Sequence, residues 1–486
     1  MQGVSPYAVL QEHASRQPDA EAVVSDDATV TYSELFERVS AFASWLLQQG
    51  LIPGEATGIC IPDEIGHLVC SMALLALDAP QMSLGSHENG VTKRALGRKT
   101  GITQLVVGTP ETWMEGLRTI VAPVRDPKAM SAALDVTPST VFREPALDAI
   151  CVYRNTSGST NLPKTFGLTF ERLLLAAQRY ADNTRVRRVL RTGSLEFDAH
   201  RLLRICSLLA GNTCVFARDV TARGIIALCQ RAKVSSIHMS TYKLTSLIHR
   251  KTNGCGRLPP FTGILTGGSR VPGRLREEVK ASLTENLWVL YAASETGMIS
   301  LASPDQHEAF PEGVGFPAEN VTVEIVDSSG GILGPGEIGE IRIRKPNIAT
   351  EYAFGAGASA NFRDGWFYPG DLVSQDNGAP LIFHGRADDV MILNGINIFP
   401  GAIEDTLESH PDVREAVAYP IKSRIHGEIP TAAVVLSAHA RSRDTEHLLE
   451  YCRQSLGVRS PRQILSVESI PRNQAGKPLR RDLASS

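Results

Sequence analysis

Between Tyr153 and Lys164 the chain reads Tyr-Arg-Asn-Thr-Ser-Gly-Ser-Thr-Asn-Leu-Pro-Lys. Hydroxyl and amide side chains surround one glycine there. They follow the apolar run Ala149 to Tyr153, which predicts a buried strand, so hydroxyls and backbone N–H groups collect at a strand end. Such a loop suits a polyphosphate, although the same residue types also make an ordinary polar turn. It is not a G-x-x-x-x-G-K-[ST] loop, and at Gly476-Lys477 that pattern would need a glycine where Pro471 stands.

Other groups capable of chemistry stand singly, each beside a plainer role. Gly267-Gly268-Ser269 lets the backbone approach a flat ring closely, or makes a turn before Pro272. His238 lies in the strand-like run Ser235 to Met239, where a lone histidine is ordinarily a satisfied core residue. Asp198 precedes a helical pattern that begins at Ala199 and is placed to cap it. Lys477, in a loop near the C-terminus, would ordinarily be a solvated charge.

Taken together, these stretches resemble the ordered motifs of the adenylate-forming superfamily of acyl-CoA synthetases, peptide-synthetase adenylation domains and luciferases. The loop of Thr156, Ser157, Gly158, Ser159, Thr160, Asn161, Leu162, Pro163 and Lys164 is similar to [ST]-[ST]-G-[ST]-T-G-x-P-K, with Asn161 in place of glycine. Asparagine tolerates positive φ better than most residues, so the turn survives. Gly263 to Ser269 resembles the strand and loop along the adenine, which makes Gly267, Gly268 and Ser269 nucleotide contacts. Tyr291-Ala-Ala-Ser-Glu295 resembles Y-G-x-T-E, with Ala292 and Ser294 as departures. The resemblance implies Tyr291 stacked on adenine with Ala292 beside it, Ser294 on phosphate, Glu295 as the Mg²⁺ ligand and Ala293 in the acyl pocket.

Asp364-Gly-Trp-Phe-Tyr-Pro-Gly-Asp371 resembles G-W-x-x-T-G-D, with Pro369 replacing threonine, and implies Asp371 on the ribose hydroxyls. Phe383 to Pro400 is close to the G-R-x-D-D-x-x-x-x-x-G-x-x-I-x-P block of stand-alone acyl-CoA synthetases. By that likeness Phe383 and Arg386 face the nucleotide, Asp388 is a hinge and Gly395 borders the channel of the thiol acceptor. Pro471-Arg-Asn-Gln-Ala-Gly-Lys477 resembles P-R-T-x-x-G-K and implies that Lys477 is the adenylation lysine. Asp198 and His238 fall where relatives line the acid pocket.

The chemistry so implied is ATP- and Mg²⁺-dependent activation of a small carboxylic acid to an acyl-adenylate, with release of pyrophosphate and transfer to a thiol. Coenzyme A is the favoured acceptor. A phosphopantetheinyl carrier protein is the alternative, and that carrier would be a separate chain, because no Leu-Gly-Gly-x-Ser site is present. A degenerate nucleotide-binding module is the third possibility, suggested by Asn161, Ala292 and Pro369, and opposed by retention of Glu295, Asp371, Arg386 and Lys477.

The elements that must position these groups follow from periodicity. Ala22 to Val24 and Val30 to Tyr32 predict a hairpin about Asp26-Asp27, and Ser33 offers an N-cap for the helical pattern up to Gly50. Strand-like Ala56 to Ile61, an apolar helix from Ile65 to Leu77 and further alternation predict parallel sheets covered by helices. A polar link at Pro138, Ser139 and Thr140 precedes the phosphate loop. The expected fold is α/β: a large N-terminal domain over residues 1–386, with parallel-rich sheets and a small β-barrel-like part, then a small mobile α+β domain over 387–486. The resemblance places the domain boundary at the hinge.

Composition agrees with small-molecule work. With 486 residues, 43% of them apolar, the chain can bury more than one core. A net charge of -3 provides no global field towards nucleic acid or anionic membrane. The eight cysteines include no C-x-x-C pair, and no apolar run approaches ~18 residues, so a cytoplasmic protein without a membrane span is expected, with its oligomeric state open.

Overall fold

The computed structural model describes residues 4–86, 88–123, 144–155, 165–182, 187–251, 254–346, 361–423, 427–442, 444–473 and 476–484. Two compact units emerge. One holds residues 1–239 with 252–263 and 349–359, and the other holds 240–251, 264–348 and 360–486. The phosphate loop 156–164 and the link at 138–140 lie outside the described residues.

The first unit is built on parallel strands whose sequences are apolar on both faces. Arg118–Val121, Gln104–Val107, Thr57–Cys60, Gln81–Ser83 and Ile150–Asn155 run parallel in that order, and Thr165–Thr169 closes the edge antiparallel. Thr57–Cys60 and Gln104–Val107 are buried throughout, as continuous apolar runs in covered parallel sheets must be. A second run pairs Thr29–Thr31 antiparallel with Glu21–Val24, which continues in parallel through Thr213–Val215, Arg188–Arg191 and Ser236–Ser240. Helices Tyr32–Gln48, Glu64–Ala76 and Asp198–Leu209 share one apolar core with both runs, joining Phe42, Leu74 and Leu208 to Val23, Ile59 and Val152.

The second unit opens with Gly263–Gly267 parallel to Leu287–Ala293, which pairs antiparallel with Gly297–Ala302. The β-barrel-like part is an antiparallel sheet of Thr322–Val326, Gly339–Arg344, Asp371–Ser374 and Ile382–Arg386, extended by Trp366–Phe367 and Phe362–Arg363. The interior face of Gly339–Arg344 alternates with period two, burying Gly339, Ile341 and Ile343. The α+β part is a long hairpin, Val413–Ser423 with Gly427–Leu436, flanked by Met391–Leu393 and the parallel strand Gln463–Ser466. Helices Pro400–Ser409 and Glu446–Leu456 bury Ile403, Leu407, Leu448 and Cys452 on it.

Asn394 and Gly395, both at positive φ (49° and 83°), form the two-residue turn that pairs Leu393 with Ile396. At the other end of the chain, Ser33 does not cap its helix. Thr31 ends its strand in extended geometry and accepts from the N–H of Glu34 (3.2 Å), while Glu34 Oε2 accepts from the N–H of Thr31 (3.0 Å). The reciprocal pair satisfies two helix-end donors, so the helix begins at Tyr32 and Ser33 lies inside its first turn. Thr31→Ala should therefore destabilise the protein by about 1 kcal/mol, whereas Ser33→Ala should be close to neutral. Denaturant midpoints of the two variants provide the comparison.

Candidate active site

Asp371 begins a strand directly opposite Arg386, its partner in the antiparallel ladder. The residue is 8% exposed, and its carboxylate accepts from the Tyr291 hydroxyl at 2.7 Å and from Arg386 Nη1 at 3.1 Å. Tyr291 comes from the neighbouring strand Leu287–Ala293 and is itself buried, its ring 5.8 Å from that of Phe383. Burial raises the Tyr291 phenol well above its ordinary range, and the Asp371 charge adds to this, so the phenol stays a donor. Two oxygens carry about four acceptor sites, so the carboxylate retains capacity for further donors.

Arg386 is held from several sides. Nε donates to Asp388 at 3.0 Å, and Nη1 also donates to the carbonyl of Pro369. Burial opposes its charge, yet Asp371 and Asp388 outweigh that and hold the guanidinium above its ordinary range. Gly370 has φ of 80°, and a Cβ there would stand 3.0 Å from Arg386 Nη2. Glycine before Asp371 therefore serves both the turn and the close approach of the guanidinium.

Lys477 lies in the loop that follows the strand Gln463–Ser466, half-buried. Its backbone N–H donates to Asn473 Oδ1 (3.0 Å), and Asn473 N–H returns a bond to its carbonyl (2.9 Å). Burial draws the ammonium below the ordinary lysine range. Asp371 opposes that shift, Arg386 adds to it, and Glu295 and Asp389 oppose it. Lys477, Asp371, Arg386, Glu295 and Asp389 thus lie within electrostatic reach in one neighbourhood. Burial also raises Asp389, against the nearby Arg480.

Sequence reasoning did not single out the residues that hold the lysine loop. Arg472 Nη1 donates to the Gly476 carbonyl at 2.6 Å, its guanidinium lies 4.9 Å from the centre of the Tyr242 ring, and Glu415 pairs with it. Gly476 has φ of 80° and a Cβ there would meet Tyr242 Cβ at 2.7 Å, so the loop is seated on that ring. Tyr242 and Glu415 are distant in sequence from the motif, and no local pattern marks them.

The remaining expected groups of this unit sit at strand ends. Glu295 and Ser294 are half-buried in the turn that joins Leu287–Ala293 to Gly297–Ala302, where Ala293 pairs with Gly297. Lys345 Nζ donates to the carbonyls of Thr296 (3.2 Å) and Met298 (2.8 Å), tying that turn down. Ala292 is exposed beside a register shift, so its methyl group costs no packing. Gly267 needs its missing Cβ, which would lie 2.3 Å from the Leu290 carbonyl, and Gly268 follows at φ 87°. Ser269 is exposed and its carbonyl accepts from the Thr241 hydroxyl. Gly395 borders a cavity of about 610 Å³ with Leu333, Ile338, Asn397, Phe399 and Arg459.

The AMP-binding enzyme family matches residues 10–353, and the AMP-binding enzyme C-terminal domain matches residues 402–477. The chain belongs to this family. It is an adenylate-forming enzyme of the AMP-forming acid–thiol ligase class. Among its relatives, the 2-succinylbenzoate–CoA ligase of Bacillus subtilis is 27% identical, with 98% of this chain and 96% of that protein covered. The fatty acid–[acyl-carrier-protein] ligase ScoC of Streptomyces coeruleorubidus is 25% identical, with 97% and 94% covered. The solved o-succinylbenzoate coenzyme A synthetase of Bacillus subtilis, in complex with ATP and magnesium ion, superimposes with a TM-score of 0.85 at 25% identity, covering 98% of both chains. No helix among the described residues is long and apolar enough to cross a membrane.

In the first unit the family's expected acid-pocket residues have firm partners. His238 is buried in Ser236–Ser240, and Nη1 of Arg191 meets its Nδ1. Burial lowers its pKa well below the ordinary histidine value, and Arg191 and His200 add to the effect, so the ring is neutral. Asp198 is not the N-cap. Phe197 occupies that position without a side-chain bond, and the Asp198 carboxylate turns inward to accept from Arg201 Nη2 (2.9 Å) and the N–H of Asn155 (2.9 Å). Arg201 is fully buried, and an inward carboxylate compensates it where a cap would leave it bare. Asp198→Ala should therefore cost about 3–5 kcal/mol, well above the ~1 kcal/mol of a lost cap. Chemical denaturation separates the two values, and a loss near the cap figure would refute the inward pairing.

Proposed function

We propose that the protein activates a small carboxylic acid with ATP to an acyl-adenylate, releasing pyrophosphate, and then passes the acyl group to the thiol of coenzyme A. The observation that carries this is the convergence of a desolvated lysine, Lys477, on Asp371, Arg386 and Glu295. A carboxylate attacking an anionic phosphate needs its charge neutralised and both reactants held in line. In this reading Asp371 accepts from the ribose hydroxyls, Tyr291 and Phe383 flank the adenine, and Gly267, Gly268 and Ser269 run along it. The loop of Thr156 to Lys164 holds the β- and γ-phosphates, with Ser294 adding a hydroxyl.

The donor set fits a magnesium ion, because Glu295 presents a half-buried hard oxygen in a turn pinned by Lys345. When bound, the ion would supply charge neutralisation at the departing pyrophosphate. Lys477 would place its ammonium on the α-phosphate, where charge moves as the leaving group departs. The ordering supports a division into residues 1–386 and 387–486, with Asp388 as hinge in the short turn Ala387–Asp389. Asp388 is exposed and its side-chain bond to Arg386 is local, which suits a residue whose backbone turns.

The acid is proposed to lack an α-amino group, because Asp198, the carboxylate placed to receive one, is taken by Arg201 and Asn155. His238 is proposed to contact the acid, and Gly395 to border the approach of the thiol. A separate carrier protein as acceptor is the second reading, favoured by the likeness to the acyl-carrier-protein ligase. A pyrophosphate-exchange screen over carboxylic and amino acids identifies the acid. Adding coenzyme A or a phosphopantetheinylated carrier then identifies the acceptor, and no exchange with any acid would refute the reading.

Lys477→Ala should reduce pyrophosphate exchange by at least ~100-fold while leaving transfer from preformed acyl-adenylate to thiol. Exchange at the wild-type rate would remove the lysine from the mechanism. The protonated ammonium is the active form, so activity is full below its pKa and lost as pH rises through it. Burial lowers that pKa, so the alkaline limb of kcat/KM should fall below about 10.4, and Lys477→Arg should move the limb upward. Asp388→Pro should impair one half-reaction far more than the other, whereas Asp388→Ala, which loses only the bond to Arg386, should not. Equal loss in both half-reactions of the proline variant would refute the hinge.

A further inference from the structure

Away from the active-site residues, the α+β part gathers His410, Asp412 and His447 so that one ligand atom from each lies within 4.8 Å of the others. His410 follows the C-terminus of helix Pro400–Ser409, and His447 sits in the first turn of Glu446–Leu456. The Asp412 side chain is only 5% exposed. Its ion pair is with His447, whose Nε2 lies 3.3 Å from Oδ2 without forming a hydrogen bond and is itself buried. A buried carboxylate facing a buried, unbonded imidazole nitrogen lacks the compensation such groups normally have.

The surroundings hold the two rings in place. The N–H of Asp412 donates to His410 Nδ1 at 3.2 Å, the two imidazoles stand edge to face with centres 5.4 Å apart, and Tyr451 packs on His410 at 5.0 Å. Tyr451 in turn meets the Ser409 hydroxyl at 3.0 Å, linking the two helices. Arg441 is the basic side chain acting on His410, and it works against a cation there. We propose that His410, Asp412 and His447 bind one divalent transition-metal ion, which clips the end of one helix to the start of the other.

Two imidazole nitrogens and one carboxylate oxygen suit zinc, nickel, cobalt or copper, and are too few hard oxygens for calcium or magnesium. Tetrahedral ligands at zinc-like bond lengths stand roughly 3.4 Å apart, so closure needs small movements of the two half-exposed rings. The fourth position would hold water. The clip would stabilise the part of the chain that carries Lys477 without touching the lysine loop.

The test uses the full chain after treatment with a chelator. Titration with cobalt and zinc against a chromophoric competitor should show one saturable equivalent, and zinc should raise Tm by at least ~2 °C. His447→Gln and, independently, His410→Gln should abolish both effects while circular dichroism stays that of the parent. The cobalt spectrum of the unaltered chain supplies a check that needs no variant: nitrogen and oxygen ligation should appear without a thiolate charge-transfer band. No saturable binding, a thiolate band, or metal binding unchanged in His447→Gln would overturn the proposal.

Discussion

A carboxylate sealed from water is costly unless donors surround it, and the second unit is arranged about one such group. Asp371 is paired with Arg386 and accepts from a phenol whose own proton burial makes hard to lose. That constraint reaches outward. It requires the antiparallel register that sets Asp371 against Arg386, the glycine at 370 that admits the guanidinium, and the close approach of strand Leu287–Ala293 that delivers Tyr291. The same charges then set the field in which Lys477 sits.

A lysine in a pinned loop behaves differently from one in solvent. The Lys477 backbone is fastened by Asn473 and its loop by Arg472, while Tyr242 supplies the floor. Its ammonium has lost part of its hydration, which weakens its hold on the proton and strengthens its response to a nearby anion. Such a group interacts most strongly where negative charge accumulates, which is the condition for stabilising a transition state above a ground state.

Departures from the family pattern have local explanations where the structure reaches them. Ala292 is exposed, so the absent glycine is not missed. Pro369 lacks threonine's hydroxyl but retains a carbonyl that receives Arg386. Asp198, expected in the acid pocket, instead lends its charge to a buried arginine one turn later.

Much was legible in the chain itself. Alternating apolar runs announced covered parallel strands, the hairpin about Asp26-Asp27 read from its turn residues, and the motifs that carry Glu295, Asp371, Arg386 and Lys477 pointed to the family. These features are local, so sequence order suffices to state them. Tertiary structure alone decided which groups answer one another. Thr31 rather than Ser33 caps the first long helix because the strand before it ends extended, a matter of one residue's backbone. Asp198 turns inward because Arg201 needs a partner in the core, and Tyr242 and Glu415 hold the lysine loop from far along the chain. Burial and opposing charge are properties of the folded neighbourhood, and no pattern of neighbours in sequence contains them.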